Sequence, residues 1–323
     1  MTRPSAFITG ITGFAGSYLA EELLAAGFDV RGSVYYDEPT GNIAAIKSRL
    51  RLYALDILDA GQCRRLLSRL QPNYIFHLAA IASVGESFRN ERSTFAINFD
   101  GTVNLLEAAT RLKKLRKFLF VGSSDSYGVH RGRNKTLTED QPFNPVSPYG
   151  ISKAAAEFAC RYYYRRHGLP VVVARAFNHS GPRQNTQFVI PAFAEQIARI
   201  ESGLQKPEIR VGDLTARRDI SDVRDIVRGY RLAAVKGRPD EVYQLCSGRA
   251  VTIRAILDAL LAQTPFKIKV RVDRNKLRRS EIPVLRGSHR KAAQRLGYRV
   301  RYRLKDTLRD TLEYWRSRYR SMK

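Results

Sequence analysis

"TGITGFAGSYLAEELLAAG", residues 9–27, decides the fold. An apolar strand run, "SAFITG", leads into it, and Gly10, Gly13 and Gly16 then stand at three-residue intervals. An amphipathic run follows and closes at Gly27. Glycines at such a junction permit a tight turn, close approach of backbone to a ligand, and close packing of helix on strand. The start of the helix offers free N–H groups and a partial positive charge, so a pyrophosphate is the natural occupant. Thr12, Phe14 and Ala15 belong to the same turn. The spacing is GxxGxxG rather than GxGxxG. Alone it would pass for a structural turn; at the first strand-to-helix junction it points to a dinucleotide.

Working outward, "DVRGSVY" (29–35), "LRLYALDI" (50–57), "YIFHLAA" (74–80), "KFLFVGSS" (117–124) and "PVVVARAFN" (170–178) read as strands. Between them lie helical patterns: "DAGQCRRLLSRL" (59–70), a stretch from about Thr94 to Lys113, and "SPYGISKAAAEFACRYYYRRHG" (147–168). Apolar strand runs alternating with amphipathic helices imply βαβ units and a parallel sheet covered on both faces. The fold class is α/β, a Rossmann-like doubly wound parallel sheet. Past Asn178 the rhythm loosens into short strands such as "PEIRVGD" and "EVYQLCSG" and helices such as "TIRAILDALLAQ". The expected division is residues 1–178 for the nucleotide-binding part and 179–323 for a smaller, interwoven C-terminal α/β lobe.

The chain has 323 residues, 44% of them hydrophobic, with no run of eighteen apolar residues; a membrane span is not expected. The N-terminal "MTRPSAFITG" enters a strand without a signal-peptide pattern, so a cytoplasmic protein is expected. Cys63, Cys160 and Cys246 lie far apart, which signals neither a zinc site nor a disulfide framework; three reduced, buried thiols and no metal are expected. The formal net charge is +26, and residues 267–323 alone carry twenty Lys/Arg against five Asp/Glu. These charges are interleaved with helix and strand patterns rather than gathered into a tail. No nucleic-acid-binding signature accompanies them, so nucleic acid is not expected as a partner. The reading is a basic solvated surface with a minority of arginines serving a phosphorylated ligand.

Which dinucleotide binds turns on the end of the second strand, where an acid would hold the adenine ribose and an arginine would accommodate a 2′-phosphate. That stretch reads "VRGSVYYDE", with Val34 near the acid's place, Arg31 before it and Asp37 after. NAD(H) and NADP(H) both stay open; the missing acid and the basic chain tilt the reading to NADP(H). Asp56 and Ile57, after the third strand, are adenine-side contacts. "HLAA" sets Leu78, Ala79 and Ala80 beside the cofactor, with His77 read as a satisfied core histidine.

"SPYGISK" holds Tyr149 and Lys153, four apart at a helix start and hence on one face. An ammonium near a phenol favours the phenolate and lowers its pKa, fitting the tyrosine to give or take a proton at a carbonyl or alcohol. Upstream, "VGSSDSYG" puts Ser123 and Ser124 at a C-terminal strand end, where open α/β sheets bind ligands. A serine hydroxyl there can polarise a reacting carbonyl.

The glycine turn, "HLAA", Asn98 in "INFDGT", "GSSDSYG" and "SPYGISKAAAE" together resemble the extended short-chain dehydrogenases/reductases, over essentially the whole chain. The resemblance implies Ser123 as the carbonyl-polarising group, Tyr149 as the acid/base and Lys153 as its partner. It also implies a homodimer formed through the Tyr149 helix and the long helix before it. "ARAFNHSGPRQNTQFVIPAFAEQIARIESG", "VGDLTARRDISDVRDIV" and "RRSEIPVLRGS" are similar to the nucleotide-sugar branch that works on GDP-mannose derivatives. The pattern is nearest the reductases of GDP-4-keto-6-deoxymannose, which form GDP-rhamnose. A GDP-sugar substrate is thereby implied, with Ser124, Asn178, Arg183, Val189, Val211, Arg218, Arg278 and Glu281 around it. Arginine suits the diphosphate because its planar fork binds two oxygens at once. The branch usually has Pro after the first Arg of "RxSE"; Arg279 stands there, leaving the choice between Arg278 and Arg279 open. Asp125 keeps alternatives alive: an acid near this point also serves a 4,6-dehydratase with recycled cofactor, and a 4-epimerase is a third possibility. A non-catalytic nucleotide- or RNA-binding protein is the remote one.

Overall fold

The computed structural model describes residues 3–130, 136–273 and 282–320. Strand β1 (Ser5–Thr9) leads into α1 (Phe14–Ala25), followed by β2 (Asp29–Val34), β3 (Arg51–Ala54), α2 (Ala60–Leu70) and β4 (Tyr74–His77). Then come α3 (Val84–Ser87), α4 (Glu91–Phe95), α5 (Gly101–Ala109), β5 (Lys117–Ser123), α6 (Pro148–His167) and β6 (Val171–Ala176). The second half supplies β7 (Asn178–Ser180), α7 (Val189–Glu201), β8 (Glu208–Val211), β9 (Arg217–Asp222), α8 (Val223–Lys236) and β10 (Val242–Leu245). It ends with β11 (Ala250–Thr252), α9 (Ile253–Leu261), β12 (Lys269–Val272), β13 (Val284–Leu285), α10 (Arg290–Leu296) and α11 (Leu304–Arg320).

Seven strands form one parallel sheet in the order β10-β6-β5-β4-β1-β2-β3. The chain winds outward from β1 through β2 and β3, then returns to β4 on β1's other side. That reversal opens a crevice at the carboxyl ends of β1 and β4, where such sheets bind ligands. Side chains alternate between two apolar layers, as strands buried on both faces require. Ala6, Ile8, Phe76, Leu119 and Val172 enter the core under α1 and α8. Phe7, Ile75, Phe118, Phe120 and Val171 enter the core under α2, α5 and α6.

The sequence at 241–248 reads as part of the small lobe, but β10 is the seventh strand of the main sheet, parallel to β6. All four of its residues are buried, and α8 beside it packs into the first core through Val223, Ile226, Val227 and Tyr230. The remaining small lobe joins β11, β9, β13 and β7, with β8 paired to β12. Its own core lies among α7, α9 and α11, built from residues such as Ile197, Leu257 and Leu308. The long helix expected over 94–113 is instead α4 and α5 joined by a π-turn at Ala96–Asp100. Helix α6 starts as its sequence dictates: the Ser147 hydroxyl accepts the Gly150 N–H, Pro148 fills the first turn, and Gly168 ends the helix in the left-handed region at φ 66°. Cys63, Cys160 and Cys246 are buried and unpaired. Among the described residues no helix is long and apolar enough to cross a membrane, and no group of three His, Cys, Asp or Glu could hold a metal ion.

Candidate active site

The glycine turn sits at the mouth of the crevice. Gly10 has φ +71°, and a Cβ on it would stand 3.0 Å from the Ala79 backbone. A Cβ at Gly16 would stand 2.0 Å from the Gly10 carbonyl oxygen, so α1 can approach β1 this closely only with glycine there. Gly13 caps α1 with no side chain closing the helix end. Thr12 is 2% exposed, and its hydroxyl has no hydrogen-bond partner among the described residues. A buried orphan hydroxyl calls for a partner; beside an open helix N-terminus and a cradle that any Cβ would fill, it fits a dinucleotide pyrophosphate. Phe14 and Ala15 open the helix next to it. Across the crevice, the N–H groups of Leu78 and Ala79 donate to the Thr9 hydroxyl at 3.1 and 3.2 Å, and Ala80 follows half-buried. His77 is locked between the Thr9 and Thr102 hydroxyls at 2.7 and 2.9 Å. Burial, aided by the Lys153 charge, pushes its pKa down to about 3, so it is a neutral core residue.

Asp56 stands just beyond β3, its carboxylate accepting the Leu58 N–H at 2.9 Å. Ile57 is buried against Gly101. Arg31 is not brought to this site. Its guanidinium is held by Asp29, the first residue of β2, at 2.6 Å and by the Leu70 carbonyl at the end of α2 at 3.1 Å, toward the amino ends of the strands. A side chain held there offers no support for the tilt to NADP(H).

Ser123 ends β5, 4% exposed. Its oxygen accepts the Asp125 N–H at 3.1 Å and lies 3.3 Å from the Asp125 carboxylate, to which it donates. Ser124 is buried at the start of the turn Ser124–Tyr127. Tyr149 is the second residue of α6 and half-buried, and Lys153 lies one turn further, 4% exposed. The Lys153 ammonium donates to the Val121 carbonyl at 3.0 Å and sits 5.1 Å from the centre of the Phe120 ring. The expected lowering of the Tyr149 pKa by this ammonium is therefore corrected. Burial and the Asp125 charge raise Tyr149 well above its ordinary 10.0, with only the Ser123 hydroxyl pulling it down. Burial lowers Lys153 from 10.5 to about 8. The phenol is neutral at physiological pH.

Asp125 is raised by burial and drawn back by the Arg218 charge and the Ser123 hydroxyl. Arg218, on β9, is lowered by burial and raised in turn by Asp125 and Asp213. Asp219 accepts the N–H groups of Ser247, Gly248 and Gly287, and Asp222 binds Arg224 and Thr307. The small lobe thus aims a cation at the reacting end of the large one.

Two buried groups hold this arrangement and were not singled out as site residues. Asn98, in the π-turn, accepts the Ile81 N–H at 2.8 Å and donates to the Ile81 carbonyl and the Ser152 hydroxyl, each at 3.0 Å. It ties the end of β4 to α6 between Tyr149 and Lys153. Behind α6, Glu157 binds Arg175 at 2.9 and 2.6 Å, and Arg175 donates to Tyr127 at 2.5 Å. Glu157 falls four residues after Lys153, a spacing visible in the sequence; its partner on β6 was not.

On the substrate side, Asn178 is exposed on β7, in register with Ile220 of β9. Val189 is exposed at the start of α7. Val211 is corrected: at 1% exposure it belongs to the small lobe's core, in register with Val272, and offers no face to a ligand. Arg183 turns toward α1 rather than the sugar side, holding Glu21 at 2.8 and 3.0 Å. Arg278 and Glu281 lie outside the described residues.

The chain matches the family model described as GDP-mannose 4,6 dehydratase over residues 7–311. It is 33% identical to the GDP-6-deoxy-D-mannose reductase of Pseudomonas aeruginosa over 314 residues, 97% of this chain and 98% of that one. It is 30% identical to GDP-mannose 4,6 dehydratase 1 of Arabidopsis thaliana over 316 residues, covering 92% and 85%. The fold superposes with a TM-score of 0.85 on RMD from Pseudomonas aeruginosa complexed with NADPH, at 33% identity over 98% of this chain and 99% of that one. A UDP-glucuronic acid 4-epimerase from Bacillus cereus, solved with UDP-glucuronic acid and NAD, gives 0.86 at 28% identity, covering 98% and 100%.

Proposed function

Because the chain belongs to the GDP-mannose 4,6 dehydratase family, among the extended short-chain dehydrogenases/reductases, we propose that it is a 4-keto reductase. It is an NAD(P)-dependent enzyme of GDP-sugar modification; the proposed reaction converts GDP-4-keto-6-deoxy-D-mannose to GDP-D-rhamnose with NADPH. The observation that carries the direction is the 33% identity to GDP-6-deoxy-D-mannose reductase over 97% of this chain and 98% of that one; the Tyr149 phenol, raised by burial and by Asp125, is consistent with it. A neutral phenol is the form that donates a proton, as reduction of a ketone requires.

Thr12 and the turn Gly13–Gly16 would hold the pyrophosphate of a reduced nicotinamide, which when bound would supply the hydride. The chain's own groups handle the oxygen. Ser123, fixed at the strand end, donates a hydrogen bond to the carbonyl and polarises it. Tyr149 delivers its hydroxyl proton to the developing alkoxide and is left as phenolate, one helical turn from Lys153. Arg218 holds the sugar-nucleotide diphosphate, with Asn178 on the same side. Atoms and charge balance: one hydride and one proton enter, and the alcohol leaves.

One observation favours the second reading, dehydration of GDP-mannose. The Asp125 carboxyl, raised by burial, is an acid/base beside the reacting sugar. The deciding assay supplies each compound separately. Stoichiometric NADPH oxidation on the 4-keto sugar supports reduction; turnover of GDP-mannose without net NADPH consumption rejects it. Tyr149→Phe should lower kcat by about 10²–10⁴ while GDP and NADPH binding stay within twofold; full activity in that variant rejects the assignment.

The dimer proposed for this enzyme rests on an exposed stripe along α6. Ile151, Phe158 and Tyr162 are 43%, 60% and 56% exposed and recur at helical spacing, with Phe95 of α4 exposed nearby on the preceding helix. Such a stripe marks an interaction face, and α6 with α4 and α5 would meet its copies there. Phe158→Glu should shift the protein from dimer to monomer in light scattering.

A further inference from the structure

Arg183 holds together two segments that the chain keeps far apart. It lies in the turn between β7 and α7, the turn that follows Asn178 and His179. Its backbone is left-handed, φ +73°, an unusual state for a residue with a side chain. The side chain crosses to α1. It donates to both carboxylate oxygens of Glu21 at 2.8 and 3.0 Å, to the Asn42 carbonyl at 2.9 Å and to the Ser17 hydroxyl at 3.4 Å. The guanidinium also lies 3.8 Å from the centre of the Tyr18 ring, and Tyr18 donates back to the Pro182 carbonyl at 3.3 Å. Asn42 donates to the Thr12 carbonyl at 3.0 Å. The glycine turn, α1 and the 41–49 helical turn are thereby joined to the sugar-side turn through one guanidinium. A parallel contact runs alongside: the Phe14 ring, first in α1, stacks on His179 at 5.9 Å.

Beyond Arg183 the connection is rigid. Gln184 accepts from the Ser180 hydroxyl at 2.7 Å and donates to the His179 carbonyl at 3.1 Å, fixing the turn to β7. β7 is paired in register with β9, which carries Arg218. We propose that Arg183 is a positioning residue that couples the two ligand sites: closing of the glycine turn on a dinucleotide sets the β7–α7 turn, and through β7 and β9 the diphosphate arginine, in the binding geometry. The idea rests on the reductase reading above and extends it, since it predicts that the two ligands bind interdependently. Coupling of this kind is reciprocal. The coupling requires one element whose arrangement both sites bias, and the turn held by Arg183 is the element that touches both the glycine-turn side and β7.

The test measures GDP binding calorimetrically with and without saturating NADPH, and NADPH binding with and without GDP. In the native chain each ligand should strengthen the other by the same factor, about fivefold or more. Arg183→Gly keeps the left-handed turn accessible and removes the guanidinium; the factor should fall to about one, each ligand binding singly within a few-fold of native. Glu21→Gln, which leaves the backbone untouched, should reduce the factor part of the way, and guards against a folding defect in the glycine variant. A second readout is kinetic: in Arg183→Gly the KM for the sugar nucleotide should rise at saturating NADPH while kcat changes less, a split that general loosening would not give. Independent binding in the native chain, or coupling that survives in both variants, overturns the proposal. Failure of GDP or NADPH to bind the native chain at all would instead overturn the functional reading on which it rests.

Discussion

Replacing Lys153 with methionine should stabilise this protein and inactivate it. The ammonium is 4% exposed and faces one carbonyl and an aromatic ring, so burial lowers its pKa from 10.5 to about 8. Each pKa unit is worth about 1.4 kcal/mol, so near pH 7 the buried charge costs about 3 kcal/mol of folding stability. The sign follows from proton binding. Between about pH 8 and 10.5 the unfolded chain holds a proton on this lysine that the folded chain has released, so native stability rises with pH across that window. Below it the full penalty is present. Methionine removes the charge at similar volume and forfeits the hydrogen bond to Val121, about 1 kcal/mol. The variant should therefore be about 2 kcal/mol more stable at pH 7, with the advantage shrinking to about zero near pH 10. Buried thiols and phenols titrate in the same range, so the difference between the two proteins is the quantity to follow. Urea unfolding at four pH values from 7 to 10 measures it, and the reductase assay should show no turnover. A methionine variant less stable than the native protein at pH 7, or a difference flat in pH, refutes the reasoning.

Further outcomes follow from the same geometry. Gly16→Ala drives a methyl into the Gly10 carbonyl at 2.0 Å; α1 must withdraw, and equilibrium dialysis should show NADPH binding weakened at least tenfold, roughly 1.4 kcal/mol. Thr12→Val replaces the unpartnered buried hydroxyl, so the ligand-free protein should melt no lower while NADPH affinity falls. Glu157→Ala strands the Arg175 guanidinium in the core and should cost about 3–5 kcal/mol in denaturant titrations. The profile of kcat/KM against pH should fall above about pH 8 as Lys153 loses its proton.

The features legible in the sequence were those whose cause is local. Three glycines at fixed spacing need only their own turn to be interpreted, and Gly10 and Gly16 meet backbone where a Cβ would collide. The cap of Ser147 and Pro148 and the end at Gly168 delimit α6 from within. What was not legible depends on partners distant in the chain. "VYQL" reads as a short strand, but nothing in those four residues says that they pair with β6 rather than with the small lobe. The π-turn at 96–100 is set by Asn98 reaching Ile81 and Ser152. Arg31 and Arg183 could each have faced a phosphate by type and position. Asp29 holds one and Glu21 the other, and neither acid is distinguished by its local pattern.

The same distinction bears on the direction of catalysis. Spacing alone sets Tyr149 and Lys153 on one face and so suggests an ionised tyrosine, which would begin a reaction by removing a proton. The folded chain sends the ammonium to Val121 and brings Asp125 to the phenol. A negative neighbour and partial burial both oppose the phenolate, so the ligand-free tyrosine holds its proton ready to give. Removing Asp125's charge tests this directly. In Asp125→Asn the largest opposing charge is gone while the burial remains, so the Tyr149 pKa should fall toward, but not below, its ordinary 10.0. Ultraviolet difference titration against Tyr149→Phe in the same background reads that shift. A Tyr149 pKa unmoved or raised by the substitution would mean that Asp125 does not act on the phenol, and the argument for a proton-donating tyrosine would lose its electrostatic half.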